Sequence, residues 1–153
     1  MLRRAAVHLA EELNVPQKDI VLFGQSIGCV PALALAEKGI GSKAILVSPF
    51  TSVPEMAMAV YPALLWPVKW LLPSLILDPC DNVANAENVK MPTLVIHGTT
   101  DEIVPYSHGE RIHAILKQQN PSTSQFIPMP GAGHNDILNG AQTMATLVRY
   151  AEE

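Results

Sequence analysis

Four short apolar runs recur along the chain, and glycine or proline lies within two residues of the end of each. They occupy residues 20–23, 44–47, 93–96 and 125–127. Apolar side chains at consecutive positions over so short a length are typical of a strand buried on both of its faces. The pattern therefore predicts a sheet of four strands.

The intervals around these runs carry apolar residues at helical spacing. Helices are predicted over residues 2–13, from about residue 30 to Gly39, around 112–119 and around 138–148. Strands that alternate with helices favour a parallel sheet covered on both faces. We therefore expect an α/β fold, a three-layer sandwich around a mostly parallel sheet.

The interval between the second and third predicted strands is longer than one crossover helix needs. Its apolar run at 56–77 approaches the length of a membrane span, but Pro62, Pro67 and Pro73 interrupt it. Each proline removes a backbone donor that hydrocarbon cannot replace, so no transmembrane span is expected. We interpret residues 53–80 as a lid-like insertion over the site, with ordinary packing helices as the alternative.

Composition is that of one globular domain with a substantial core. Of 153 residues, 48 % are hydrophobic and the mean hydropathy is +0.20, which argues against disorder. The net charge is −4 and the basic residues are scattered, so nucleic acid is not an expected partner. Two cysteines cannot form the disulfide framework of a secreted domain. We expect a single cytoplasmic domain over residues 1–153, with peripheral membrane contact as an open alternative.

The most informative motif lies where the first predicted strand meets the next helix. The residues from Gly24 to Gly28, GQSIG, match G-x-S-x-G, the turn that exposes a nucleophilic serine. Glycines at these two positions fit a turn in which strand and helix leave no room for side chains. We predict Ser26 as the nucleophile and the Ile27 N–H as an oxyanion-hole donor. A serine that only caps the helix is the alternative.

A nucleophilic serine needs a base, and the base needs an orienting carboxylate. Asp101 follows the third predicted strand within HGTTDEIVP, and His134 follows the fourth within GAGHND. The carboxyl ends of parallel strands meet at one edge of the sheet, where open α/β sheets build their sites. The order serine, aspartate, histidine is the one that accompanies this turn. We predict Asp101 as the acid and His134 as the base, with Glu102 as the alternative acid.

The remaining histidines, acids and cysteines receive structural interpretations. His97 ends a buried strand and is expected to make a structural hydrogen bond. Asp136 is interpreted as a helix cap, with a role in orienting His134 as the alternative. The sequence has no metal-ligand spacing and no glycine-rich phosphate loop, so neither a metal nor a cofactor is expected. Residues expected on the solvated surface or as inert thiols are His8, His108, His113, Cys29 and Cys80.

The motifs GQSIG, HGTTDEIVP and GAGHND, in this order, resemble those of the α/β-hydrolase superfamily. Within it, the chain is similar to the alpha/beta-hydrolase domain-containing protein 17 group of palmitoyl-protein thioesterases. A sister group with similar motifs is classed with serine peptidases of the prolyl-oligopeptidase clan. The resemblance covers nearly the whole chain and implies Ser26, Asp101 and His134 as the catalytic triad. Residues 53–80 depart from that group because they are more apolar.

The resemblance also implies segments that the sequence lacks. Members of the fold have several strands before the serine turn, and the loop after the third supplies a second oxyanion-hole donor. No segment here corresponds to them, and the strand at 20–23 is left as an apolar edge without protecting charges. We therefore expect a partial α/β-hydrolase fold that can self-associate through that edge.

Three functions are open at this point. The first is hydrolysis of an ester or thioester through an acyl-enzyme. Its substrate would carry an apolar acyl chain, as a palmitoylated protein does, and Leu64, Trp66 and Trp70 are the candidate contacts. The second is a serine peptidase of the prolyl-oligopeptidase type. The third is a catalytically silent half-domain.

Overall fold

The sheet is parallel throughout the described part of the chain. A computed structural model describes residues 15–60 and 80–153. Each strand pairs in parallel with the next one along the chain, which requires a crossover connection between them. The strands are β1 (Val21–Gln25), β2 (Lys43–Val47), β3 (Thr93–Gly98) and β4 (Ser124–Met129).

Helices supply the crossovers and one terminal element. Within the described residues they are α1 (Cys29–Glu37), α2 (Val53–Val60), α3 (Asn82–Ala86), α4 (Tyr106–Gln119) and α5 (Ala141–Glu152). Short 3-10 turns lie at Gln17–Asp19, Ser26–Gly28 and Ile137–Asn139.

The core has two layers, one on each face of the sheet. Helices α1, α3 and α4 pack against a face that includes Ala44 and Leu46. Helix α5 and the turn at Ile137–Asn139 pack against the opposite face, which includes Ile45 and Val47. Successive residues of a strand point to opposite faces, so each apolar run contributes to both layers. The predicted α/β three-layer architecture is confirmed.

The outer strands of the described sheet are β1 and β4. The side chain of Phe23 in β1 is 50 % exposed, which agrees with an apolar edge at this strand. In β4, Pro128 does not end the strand as the sequence suggested, because it pairs with His97 inside the ladder. An edge strand tolerates proline since one side of its backbone needs no ladder partner.

Several sequence predictions lie outside the described residues. They include the helix over residues 2–13 and the greater part of the lid-like segment at 53–80. The candidate substrate contacts Leu64, Trp66 and Trp70 lie there too. Among residues 15–60 and 80–153, no helix combines the length and apolar character that crossing a bilayer requires.

Candidate active site

Ser26 stands on a sharp turn directly after β1. Its φ of 52° lies in the left-handed region, which residues other than glycine, asparagine and aspartate rarely adopt. The residue opens the 3-10 turn Ser26–Gly28, which leads straight into α1. Such strain is held in place by the surrounding structure and is common at functional sites. The N-terminus of α1 has no side-chain capping bond, so Ser26 does not cap this helix, and its role as nucleophile stays a prediction.

The two glycines of the motif have different surroundings. A Cβ on Gly24 would collide with the Gly28 carbonyl and lie 2.8 Å from the Cα of Cys29. A Cβ on Gly28 would meet no atom within 4 Å among the described residues. The expectation that neither position has room for a side chain is therefore right for Gly24, whereas no atom of the described residues fills the space at Gly28.

Asp101 and His134 form a direct pair at the carboxyl edge of the sheet. His134 Nδ1 lies 2.8 Å from Asp101 Oδ2 and 3.1 Å from Oδ1. The Asp101 side chain is fully buried and that of His134 is 7 % exposed. Because a carboxylate only accepts hydrogen bonds, Nδ1 carries the hydrogen and Nε2 is left as an acceptor. This tautomer is the one that a general base for a serine requires.

The carboxylate of Asp101 is held by its own loop as well. Its Oδ1 accepts hydrogen bonds from the N–H groups of Val104 at 2.7 Å and Ile103 at 3.0 Å. Burial by itself raises the pKa of Asp101, but the bonds from Val104 and His134, with smaller contributions from Ser48 and Ile103, outweigh it. The pKa of Asp101 therefore lies below its usual value, and the group is a carboxylate at neutral pH.

Ser48 is a neighbour of Asp101 that the sequence analysis did not single out. It follows β2, is completely buried, and has a φ of 47°. Its N–H donates to the Ile96 carbonyl at 2.8 Å, but its hydroxyl makes no hydrogen bond of good geometry within the described residues. The hydroxyl is nevertheless close enough to Asp101 to help lower the pKa of that carboxyl.

Glu102 contacts the backbone of His134 and not its ring. Its Oε2 accepts a hydrogen bond from the His134 N–H at 3.2 Å. Asp136 Oδ1 accepts one from the Gly133 N–H at 2.6 Å, and its side chain makes no cap bond to the turn that follows. Asp136 thus occupies the N-cap position of that turn, but its carboxylate bonds to the preceding loop and makes no capping bond. Both acids shape the loop that presents the imidazole.

The loop after β4 reaches across the sheet edge to β1. Gln25 Nε2, one residue before Ser26, donates a hydrogen bond to the His134 carbonyl oxygen at 3.3 Å. No hydrogen bond joins Ser26 itself to His134 in residues 15–60 and 80–153. The structure thus brings Asp101 and His134 into direct contact and links the serine turn to them through Gln25, whose role the sequence analysis missed. The GQSIG motif gives no sign of this hydrogen bond, because its acceptor lies in a distant loop.

Two of the remaining predicted groups behave as expected and one does not. His97 is fully buried and its Nε2 bonds to the Val104 carbonyl oxygen at 2.9 Å. Burial raises the pKa of the Cys29 thiol to about 12, which makes it inert. His108 is only 7 % exposed, so its assignment to the solvated surface is wrong. Its Nδ1 lies 2.7 Å from the Thr51 hydroxyl, because one face of α4 packs against the segment after β2.

The other side chains add little chemistry to the site. His113 is half-buried, with its ring 5.4 Å from that of Phe126, so it is not a solvated surface residue either. Ile27 lies in the turn after Ser26 with its side chain 64 % exposed, and its N–H as oxyanion donor stays a prediction. His8 lies outside the described residues. Within the described ranges, histidines, cysteines and acids form no group of three suited to a metal.

Comparison with known proteins assigns the family. The sequence model of the prolyl oligopeptidase family matches residues 3–153. The chain belongs to this family. It is also 36 % identical over 129 residues to alpha/beta hydrolase domain-containing protein aho-3 of Caenorhabditis elegans, covering 84 % of this chain and 35 % of the relative. Identity to alpha/beta hydrolase domain-containing protein 17B of Homo sapiens is 28 % over 152 residues, covering 99 % of this chain and 48 % of the relative.

Solved structures agree on the fold. An acylaminoacyl peptidase of Pyrococcus horikoshii superposes with a TM-score of 0.73 at 16 % identity, covering 97 % of this chain and 26 % of the peptidase. A monoacylglycerol lipase of Paleococcus ferrophilus gives a TM-score of 0.61 at 18 % identity, covering 99 % of this chain and 74 % of the lipase. The family thus lies in the α/β-hydrolase fold, as the motifs implied. The chain spans between a third and about half of the curated relatives described above.

Proposed function

We propose that the chain carries the catalytic residues of a serine hydrolase that cleaves esters or thioesters through an acyl-enzyme. The observation that carries this proposal is the 2.8 Å contact between His134 Nδ1 and Asp101 Oδ2, in a loop that Gln25 ties to a serine turn held at positive φ. A buried acid that fixes the tautomer of a histidine, beside a strained serine turn, is the arrangement that activates a hydroxyl. The family supports hydrolase chemistry in general.

The reaction assigns one role to each group. His134 Nε2 takes the proton from the Ser26 hydroxyl as its oxygen bonds to the acyl carbon, and the Ile27 N–H stabilises the resulting oxyanion. His134 then gives this proton to the departing alcohol or thiol, which leaves the acyl group on Ser26. Water, deprotonated by His134, attacks the acyl carbon, and breakdown returns a proton to Ser26 and releases the acid. Asp101 stays ionised throughout and stabilises the imidazolium form of His134.

An apolar acyl chain is the proposed substrate group. Support comes from the bulky apolar sequence at 53–80, with Leu64, Trp66 and Trp70 as contacts, and from the similarity to the alpha/beta hydrolase domain-containing protein 17 group. A palmitoylated protein at a cytoplasmic membrane surface would present such a chain. A series of thioesters from short to long acyl chains tests this: turnover that rises with chain length supports it, and turnover without that preference contradicts it.

A serine peptidase is the second candidate, favoured by the match to the prolyl oligopeptidase family. Thioester and peptide-amide substrates with the same acyl side, compared on one preparation, separate the two candidates. The first proposal is supported if the enzyme favours the thioester over the amide by a larger factor than the difference in their uncatalysed hydrolysis rates. Cleavage of the amide at a comparable rate supports the peptidase.

The first experiment is fluorophosphonate labelling of the chain beside its Ser26→Ala variant, followed by intact mass measurement. The probe requires an activated serine and no knowledge of the substrate. Labelling that disappears in the variant supports the proposal. A folded chain that takes no label contradicts it for this chain and supports the silent half-domain.

Size-exclusion chromatography on the same sample tests the proposed self-association through the β1 edge, where Phe23 is exposed.

A further inference from the structure

A second histidine lies beside the Asp101 carboxylate and has no part in the proposed triad. His97 Nε2 is 2.9 Å from the Val104 carbonyl oxygen and 3.5 Å from Asp101 Oδ2. The side chains of His97 and Asp101 are both fully buried. Oδ2 is also the oxygen that lies 2.8 Å from His134 Nδ1. Two imidazoles therefore flank one carboxylate oxygen.

The contact with Val104 determines the tautomer of His97. A carbonyl oxygen only accepts hydrogen bonds, so Nε2 must carry the hydrogen. The other ring nitrogen, Nδ1, is buried and has no hydrogen-bond partner among the described residues. Gly109 lies so close to Nδ1 that a Cβ at this position would collide with it. A proton added to Nδ1 would find no acceptor there, and the neutral form is favoured.

The surroundings of His97 agree with a neutral ring. Burial lowers the pKa of His97, although the Val104 bond and the charge of Asp101 act in the opposite direction. The edge of the ring packs against Tyr106, with 5.6 Å between centroids and 75° between the planes. The imidazole is thus locked in one orientation by packing as well as by hydrogen bonding.

Val104 connects this imidazole to the acid through its peptide groups. The N–H of Val104 donates to Asp101 Oδ1 at 2.7 Å, while its carbonyl accepts from His97 at 2.9 Å. The Val104 residue is itself 1 % exposed. Without the His97 donor, a buried carbonyl would lose its partner, and the turn that fixes Asp101 would be free to relax.

We propose that His97 is a positioning residue for the acid of the triad: its Nε2–H holds the turn at 101–104 closed around the Asp101 carboxylate. The carboxylate is thereby kept in register with His134. This inference deepens the proposed function and rests on Asp101 being the acid. His97 itself touches neither the substrate nor the reacting atoms.

The first test measures the tautomer of His97 in the unmodified chain. Nitrogen-15 NMR of the histidine rings distinguishes a protonated nitrogen from one with a free lone pair. We expect His97 to be neutral with its hydrogen on Nε2 at pH 7. A neutral ring with its hydrogen on Nδ1 overturns the proposal, because Nε2 then has no hydrogen to donate to the Val104 carbonyl oxygen. This measurement requires no variant and no activity.

The second test compares His97→Phe with His97→Gln. Phenylalanine keeps a ring against Tyr106 but removes the donor, whereas glutamine restores an N–H at a similar reach. We expect the phenylalanine variant to take the fluorophosphonate label about 10- to 100-fold more slowly, as for a displaced catalytic group, and glutamine to recover much of that loss. The NMR signal of the His134 Nδ1–H proton should weaken or shift more in His97→Phe than in His97→Gln.

The two readouts separate failure of this proposal from failure of the proposed function. If the unmodified chain takes no label, the hydrolase proposal fails. The effect of the His97 variants on the His134 Nδ1–H signal then still tests the positioning role of His97. If a folded His97→Phe variant keeps both the signal and the labelling rate, His97 has no positioning role. If neither variant folds, the tautomer measurement on the unmodified chain decides.

Discussion

Gln25 and His134 are 109 positions apart in the chain, and the side-chain amide of the first donates a hydrogen bond to the carbonyl oxygen of the second at 3.3 Å. Gln25 is the last residue of β1, and His134 lies in the loop that follows β4 at the opposite side of the sheet. The bond therefore sets how closely the base loop approaches the serine turn. It is also independent of the contact between His134 and Asp101, which uses the imidazole.

Removing this amide should slow activation of the serine without unfolding the chain. Methionine has a similar length to glutamine and no donor, so Gln25→Met leaves the base loop with one fewer tether. We expect fluorophosphonate labelling to slow by about 10-fold, because small displacements of a catalytic group are costly. Gln142→Met, at an exposed position of α5, is the matched control and should label at the original rate. Equal rates for both variants would show that Gln25 does not position the loop.

The two glycines of the serine turn should respond in opposite ways to alanine. Gly24→Ala places a Cβ against the backbone of Gly28 and Cys29, and we expect a loss of about 1–3 kcal/mol in the free energy of unfolding. Gly28 has φ −65° and ψ −17°, and a Cβ built on it meets no atom within 4 Å in the described part of the chain. Gly28→Ala should therefore be neutral or stabilising by up to about 1 kcal/mol. Urea denaturation of both variants measures the difference. Equal losses would contradict the asymmetry.

Strain at the nucleophile should be visible as a gain in stability when it is relieved. Ser26 has a φ of 52°, which glycine adopts at little cost and alanine does not. We therefore expect Ser26→Gly to unfold with a free energy about 1 kcal/mol above that of Ser26→Ala, and both variants to be unlabelled. Thermal and urea unfolding of the pair provide the measurement. A less stable glycine variant would show that the backbone here carries no strain.

Stability should fall as the pH drops below about 6.5, the usual pKa of histidine. Burial lowers the pKa values of His97, His108 and His113 in the folded chain. The unfolded chain then binds more protons than the folded one, so the stabilisation is complete above the unfolded pKa and is lost as the pH falls towards and through the folded values. Urea denaturation from pH 7.5 to 5.5 measures the slope.

A single variant tests the origin of this slope. The His113 ring packs against Phe126, and phenylalanine at position 113 keeps an aromatic contact without a titratable group. His113→Phe should therefore flatten the pH dependence and leave a residual slope from the two other histidines. A slope that is unchanged in this variant would exclude His113 as a contributor. Stability that does not decrease over the acid range would contradict the assignment of all three.

Loss of the Asp101 contribution should appear at lower pH. Its pKa lies below the usual value, so this stabilisation is present above the unfolded pKa of about 3.9 and is lost as the pH falls through the folded value. Asp101→Asn removes that part of the acid dependence. We expect the variant and the unmodified chain to differ less in stability at pH 3 than at pH 6. A constant difference over this range would contradict the assignment.

The sequence by itself determined the layered fold and predicted the residues of the candidate site. Strands buried on both faces need continuous apolar runs, and this requirement marks them plainly along the chain. The turn at Ser26 needs glycine at position 24, and the strand order places Asp101 and His134 at the carboxyl edge. All of these are local requirements, which leave a local signal in the sequence.

Only the tertiary structure decided how those residues are held. Contacts between segments that are distant in the chain decided three features of the site. They are the space at Gly28, the packing of His108 against Thr51, and the hydrogen bonds of Glu102 and Gln25 to the His134 loop. The tautomer of His97 follows from a nearer group, a carbonyl seven residues away, but the turn that presents this carbonyl to the ring is visible only in the structure. Packing across the sheet is non-local, and no spacing along the sequence records it, so these contacts appear only when the elements are brought together.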